Sequence, residues 1–92
     1  MTLALVTFDL HGGERADYDA AYSFLNQVGF ETQVISNDGQ RITLPNTTCT
    51  GTFGDVVTPM TLLQRVQAGF RAHRLSTKIF VLVNGSWAYG QT

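Results

Sequence analysis

The stretch LALVTFDL (residues 3–10) decides how this chain folds, because it is a nearly continuous apolar run. Its β-branched and aromatic side chains favour an extended backbone. An apolar run of this length without polar alternation is typical of a strand that is covered on both faces. The stretch therefore predicts a central strand. A carboxylate, Asp9, stands near its end, just before Gly12 and Gly13, and its role needs an explanation.

Two later segments have apolar side chains at the three- and four-residue spacing that predicts an amphipathic helix. The first covers residues 17–28, with Asp17 at or near the N-cap and Gly29 as the expected stop. The second runs from Thr58, which a proline follows, to about Arg74. The apolar positions at this spacing are Tyr18, Ala21, Tyr22, Leu25 and Val28 in the first helix and Leu62, Leu63, Val66 and Phe70 in the second.

Three further strands are predicted from alternation and turn signals. Residues 30–36 alternate between apolar and polar side chains, and the Asp38-Gly39 pair after them is a strong hairpin signal. Residues 41–53 offer the return strand, although Pro45 cannot donate to a ladder and predicts a bulge, a break or an edge position. The last strand is the apolar run at 78–85, which a tail with two large aromatic side chains follows.

The predicted order is β-α-β-β-α-β across one domain, residues 1–92. With right-handed crossovers, this order gives an α+β fold, the ferredoxin-like sandwich, in which a four-stranded antiparallel sheet carries both helices on one face. The other face of such a sheet lacks a cover, and dimerisation is a common way to supply one. Only 14% of the residues are charged, so few charges oppose contact with a second copy. We therefore expect a homodimer.

Composition places the chain among globular proteins and not among strongly basic nucleic-acid-binding domains. Hydrophobic residues make up 43% of it, and its formal net charge is −1. Dedicated nucleic-acid binders carry a basic excess, because phosphate neutralisation supplies much of their affinity. One local basic segment contains Arg65, Arg71, His73, Arg74 and Lys78. Either this segment contacts the phosphates of RNA or DNA, or it is a solvated helix end, where the macrodipole favours cations.

The single cysteine, Cys49, excludes an intramolecular disulfide and a multi-cysteine zinc site within this sequence. We expect a small, buried or half-buried side chain and not a nucleophile, since no base is evident beside it. The first residues lack the pattern of a signal peptide, and their apolar run is too short to cross a bilayer. The sequence predicts a soluble, cytoplasmic protein with no membrane partner.

Asp9 has two interpretations. As a hard oxygen ligand beside a glycine-rich loop, it could bind Mg²⁺ or Mn²⁺, which would activate water against a phosphodiester. Alternatively, its oxygens accept backbone N–H groups and cap the loop, as aspartates do in turns. His11 could act as a proton shuttle beside it or could be a plain exposed loop residue. Gly12 and Gly13 do not form a phosphate-loop motif.

Five stretches spread along nearly the whole chain form a recognisable set: LVTFDLHG, YDAAYSFLNQVG, LPNTTCTGTF, AHRL and KIFVLVNGSWA. Together they resemble the small ferredoxin-like protein of CRISPR spacer-acquisition complexes and its relatives, which include virulence-associated protein D-type ribonucleases. The best match is Phe8-Asp9-Leu10. In that family the aspartate lies near the dimer axis, faces its symmetry mate and is proposed to bind a divalent metal for endonuclease activity.

The resemblance implies a metal-dependent endonuclease with two Asp9 carboxylates in a shared cleft and His11 or a metal-bound water in support. It also implies that the SWA segment, residues 86–88, helps to build the dimer. Trp87 and Tyr89 either cover the open face of their own sheet or anchor the dimer interface. The rival hypothesis is a non-catalytic dimerisation or protein-interaction module. A small-molecule sensor is a third, for which the sequence offers no pocket signature.

Overall fold

The computed structural model describes residues 2–54, 57–85 and 87–92, and within them the chain has an α+β fold. Antiparallel strands β4, β1 and β5 form one sheet in that order, and β2 and β3 form a separate two-stranded sheet. The strands are β1 (Thr2–Leu10), β2 (Gln33–Ile35), β3 (Arg41–Thr43), β4 (Thr48–Phe53) and β5 (Thr77–Val83), and the helices are α1 (Arg15–Val28) and α2 (Pro59–Ala72).

The single four-stranded sheet that the sequence predicts is not what the described residues form. The strand predicted at 41–53 is split at Pro45 into β3 and β4, because proline has no N–H for a ladder and Thr47 has a positive φ of 60°. On the N-terminal side of this break, β2 and β3 pair with each other and form the two-stranded sheet. One isolated antiparallel bridge, between Glu31 and Thr50, joins the segment before β2 to β4.

Helix α1 begins at Arg15, two residues before the predicted start. Glu14 lies at the N-cap, and its N–H donates to the carboxylate of Asp17 at 3.1 Å. Asp17 is therefore the third residue of the helix, where its carboxylate satisfies a free N–H group of the first turn. The predicted stop at Gly29 is confirmed, since Gly29 is the C-cap with a φ of 117°.

Helix α2 begins directly after Thr58, as the sequence predicts. The Thr58 hydroxyl accepts a hydrogen bond from the N–H of Thr61 at 3.1 Å, and Pro59 occupies the first helical position. The helix ends at Ala72 and does not reach Arg74, whose φ of 59° is incompatible with a right-handed helix. Neither helix of the described residues has the length and apolar character needed to cross a membrane.

The core lies between the three-stranded sheet and the two helices. Alternate side chains of β1 enter it, and Phe8 among them is 2% exposed. One continuous cluster joins strand and helix residues: Ala4, Val6, Phe8, Ala21, Leu25, Phe30, Cys49, Leu62, Val66 and Phe70. Burial of this apolar surface is the main favourable term in folding. Both helices therefore share one core with β1, and neither helix of the described residues lies over the opposite face of the sheet.

Candidate functional site on the open sheet face

The open face is the side of the β4-β1-β5 sheet opposite the helices, and the register decides which side chains meet there. On β1 it presents the odd-numbered residues from Leu3 to Asp9, which alternate with the core positions. Their neighbours on β5 pair as Leu5 with Leu82, Thr7 with Phe80, and Asp9 with Lys78. Their neighbours on β4 pair as Leu3 with Thr52, Leu5 with Thr50, and Thr7 with Thr48.

This face has two halves that differ in cover. Over the cavity half, built on Leu3 and Leu5, the β2–β3 hairpin and the C-terminal tail enclose a cavity of about 340 Å³. The Asp9 half consists of Thr7, Asp9, Lys78 and Phe80 and holds only a shallow depression of about 160 Å³. Phe80 is 61% exposed there. The aromatic ring of Phe80 is thus largely exposed to solvent next to the carboxylate of Asp9.

Asp9 is exposed and is not used to cap its loop in the described part of the chain. The aspartate carboxylates that accept hydrogen bonds there are those of Asp17 and Asp38. The loop after β1 is instead tied by its backbone, since the N–H of His11 donates to the carbonyl of Ser76 at 2.9 Å. The oxygens of Asp9 are consequently available to a ligand or to a second protein surface.

The immediate neighbours of Asp9 do not complete a metal site within one subunit. Lys78 lies directly opposite Asp9 in the register, where an opposite charge stabilises a carboxylate and competes with a metal ion. His11 is exposed in the turn two residues further on. Among the described residues, no group of three or more His, Cys, Asp or Glu side chains could hold a metal ion. One subunit thus offers a single carboxylate. Mg²⁺ is typically bound by one or two carboxylates together with water, so Asp9 alone is at the lower limit for such a site.

The basic residues predicted to contact nucleic acid do not form one patch. Arg71 is in the last turn of α2, and Arg74 lies in the connection to β5, so both are at the end of the molecule where β1 finishes. Lys78 is at the same end, and it alone shares the open face with Asp9. Arg65 is near the middle of α2 and points about 120° around the helix axis from Arg71.

Trp87 and Tyr89 lie against the open face of their own sheet. Both line the cavity half, and they are 46% and 41% exposed. Their position is the first of the two alternatives that the sequence left open, while the role at a dimer interface stays a prediction. Ser86, the first residue of the SWA segment, lies outside the described residues.

Cys49 is buried in the core, as the sequence predicts, on the helix side of β4. The side chain is 1% exposed, and burial raises the pKa of its thiol to about 11. The thiol is therefore neutral near pH 7 and is not an activated nucleophile. Asp38, in the hairpin turn and remote from the open face, is a second group with a shifted pKa. The Ser36 hydroxyl and the Gln40 N–H donate hydrogen bonds to its carboxylate and hold its pKa below the ordinary value.

No protein-family model matches the chain, and a search of the curated proteins also found no match. The resemblance of Phe8-Asp9-Leu10 to the spacer-acquisition family accordingly stays a prediction. The site has to be interpreted from its own residues. Sequence reasoning selected Asp9 and missed Phe80 and Leu82, which stand exposed beside it and beyond it on β5.

Proposed function

We propose that this protein is a homodimer of ferredoxin-like subunits and that the Asp9 half of the open face is the dimer interface. The observation that carries the proposal is the 61% exposure of Phe80 within this half. Covering apolar surface gains about 25 cal/mol per Å². An exposed aromatic residue on a sheet face that has no helix over it is typical of a surface that a second molecule covers.

The strand arrangement supports the ferredoxin-like assignment. β1 lies between β4 and β5 and is antiparallel to both. The segment at Glu31, which follows α1, bridges the outer side of β4 in an antiparallel sense. This order is the one that two split β-α-β units produce when each helix crosses over one intervening strand. In this proposal the fourth strand is present in reduced form.

The charges of the Asp9 half suit a second copy of the same chain. In a two-fold symmetric interface the same patch of both subunits meets. If one residue of the first subunit contacts a second residue of the other, the reverse contact also forms. Asp9 and Lys78 are adjacent on this surface and have opposite charges. With the axis close to Phe80, each Asp9 can pair with Lys78 of the second copy. In this arrangement the two Phe80 rings form an apolar contact at the centre, and the pairs of Asp9 with Lys78 of the second copy lie on either side of it.

The first test is the oligomeric state of a Phe80→Asp variant. We expect the wild-type protein to sediment as a dimer at about 100 μM, where any complex with a micromolar Kd is populated. Phe80→Asp should shift it to monomer, because two carboxylates, one from each copy, would be buried close to the two-fold axis without a partner. Met60→Asp is the matched control, since Met60 is 58% exposed on α2, outside the proposed interface. Wild-type protein that stays monomeric, or equal dissociation of both variants, would overturn the proposal.

A second candidate function, a metal-dependent endonuclease, is favoured by the exposed Asp9 carboxylate, which no hydrogen bond occupies in the described residues. This candidate places the two-fold axis between the two Asp9 side chains instead of close to Phe80, so that both would face one cleft and together offer the carboxylates that one subunit lacks. Mg²⁺ or Mn²⁺ bound there would supply an activated water. His11 would carry the proton, and Arg71, Arg74 and Lys78 would contact the phosphates of RNA or DNA. This function is the one that the resemblance to the spacer-acquisition family implies.

The second test is cleavage of single-stranded RNA and duplex DNA with Mg²⁺ or Mn²⁺. We expect Asp9→Asn to lower the cleavage rate at least about 100-fold, because the amide cannot replace an anionic metal ligand. His11→Ala should lose about 100-fold if His11 is the proton carrier. Asp19→Asn, an exposed acid of α1, is the control and should cleave normally. Equal rates for wild type and Asp9→Asn would remove the nuclease candidate and leave the non-catalytic dimerisation module.

A further inference from the structure

We propose that the cavity half of the open face binds a small, uncharged, largely apolar molecule of about two fused or linked rings. This site is separate from the Asp9 half, on which the proposed function depends. Its volume of about 340 Å³ lies in the range of small-molecule sites, which run from about 300 to 1,000 Å³. Its walls come from three segments that are distant in the sequence, so no pattern of residues predicts it.

The cavity is a chamber with a sheet floor and two side walls. Leu3 and Leu5 of β1 and Leu82 of β5 form the apolar part of the floor. Val34 and Leu44 line it from the hairpin side, and Trp87 and Tyr89 line it from the C-terminal tail. Aromatic side chains present flat faces on which a ring system can stack. The arrangement therefore suits a flat ligand held between the hairpin and the tail.

The chemistry of the lining determines the ligand class. None of the lining residues within the described part of the chain is Asp, Glu, Lys, Arg or His. A charged ligand would lose its hydration there without gaining a partner, which is costly. The polar groups of the floor include the hydroxyls of Thr48 and Thr50. They can serve a single hydroxyl or carbonyl group of an otherwise apolar molecule.

The tail can admit such a ligand without disturbing the sheet. The backbone bond of Asn84, whose N–H donates to the carbonyl of Leu3 at 2.8 Å, is the last that ties β5 and its end to β1. In residues 87–92, the hydrogen bond described is internal, from the Gln91 side-chain amide to the Tyr89 hydroxyl at 2.6 Å. No hydrogen bond described in residues 87–92 ties Trp87 or Tyr89 to the sheet, so a small displacement of either side chain leaves the hydrogen bonds of the sheet intact.

The test uses N-phenyl-1-naphthylamine, an uncharged fluorophore in which an amine links two aromatic ring systems, naphthalene and phenyl, and which brightens in apolar surroundings. We expect saturable binding to the wild-type protein with a Kd of about 1–10 μM. Val34→Trp fills the cavity from the hairpin and should weaken binding at least about tenfold. Ile35→Trp makes the same change at the next residue of β2, which is 64% exposed and does not line the cavity, and should leave the Kd within about twofold.

Two further measurements separate the cavity from other apolar surfaces. Trp87 is the single tryptophan of the chain, so the bound probe should quench the protein's tryptophan fluorescence with the same Kd. Phe80→Asp should keep the wild-type Kd, because Phe80 lies in the other half of the face. The proposal fails if the probe does not bind, if it binds without quenching Trp87, if Phe80→Asp abolishes binding, or if both tryptophan variants bind equally. Loss of binding as protein concentration rises would assign the cavity to a second copy and would also overturn it.

Discussion

Replacing Phe70 by alanine is expected to lower the free energy of unfolding by about 3–5 kcal/mol, the usual cost of truncating a buried aromatic side chain. Phe70 lies in the last turns of α2 and is 1% exposed. Its ring meets the edges of two others, with centroid distances of 5.3 Å to Phe8 of β1 and 5.8 Å to Phe24 of α1. Phe70→Ala therefore removes contacts with β1 and with α1, two of the elements that α2 packs against.

The loss is large compared with the whole stability of such a chain. At 92 residues, the total free energy of unfolding should be about 5–14 kcal/mol. Urea unfolding followed by far-UV circular dichroism should show the lower midpoint with little change in slope. Met60→Ala, at an exposed position of the same helix, should stay within about 0.5 kcal/mol of wild type. If the Phe70→Ala and wild-type curves coincide, Phe70 does not join the helices to the sheet.

Periodicity was enough to predict the two helices and the first strand. The three- and four-residue spacing in α1 and α2 follows directly from burial of one helical face, so those segments were placed to within two or three residues. Their ends depended on finer detail. Asp17 was predicted at or near the N-cap, and in the structure it acts from inside the helix on the N–H of Glu14. Several polar residues near a helix start can fill that role, so sequence alone does not select among them.

The sheet could be predicted only in outline. Pro45 showed that the strand at 41–53 would be disturbed, but a proline is compatible with a bulge, an edge or a complete break. The structure has the break, with Thr47 in a left-handed conformation. Glu31, just before β2, pairs with Thr50 of β4. How far this pairing extends depends on where the break at Pro45 separates β3 from β4. No alternation pattern in a threonine-rich strand specifies that register.

The candidate site was predictable in part, and the missing part has a physical reason. A carboxylate in an apolar strand stands out in the sequence, so Asp9 was found. Ile79, Phe80, Val81 and Leu82 are all apolar, and alternation therefore cannot tell which of them face the core. Only the register with β1 shows that Phe80 and Leu82 lie on the open face. The cavity was invisible for a related reason, since its walls meet only after folding.

Gly51 of β4 is the glycine on which a helix end packs most closely. It is buried on the helix side of β4, opposite Ala4 in the register. A Cβ atom at this position would lie 2.5 Å from the carbonyl oxygen of Gly29, the C-cap of α1. The missing side chain is what allows the end of the helix to rest on the strand.

A Gly51→Ala variant should consequently lose about 2–3 kcal/mol of unfolding free energy, the upper part of the range for overpacking. The clash is with a backbone atom, which cannot rotate aside as a side chain can. β4 cannot retreat either, because it is hydrogen-bonded to β1 along its whole length. Thr50 is the next residue and lines the cavity floor, so any shift of β4 should also weaken binding of the naphthylamine probe.

Gly54→Ala is the matched control for this prediction. Leaving aside its two chain neighbours, a Cβ atom there meets no atom of the described residues within 4 Å, and Gly54 is not among the glycines with positive φ. An alanine at such a position should be neutral or stabilising by up to about 1 kcal/mol, because it restricts the unfolded chain. Urea midpoints of the two variants measured side by side decide the question. If Gly51→Ala is as stable as Gly54→Ala, α1 does not rest on β4 at Gly29, and the close contact between helix and strand described here is absent in solution.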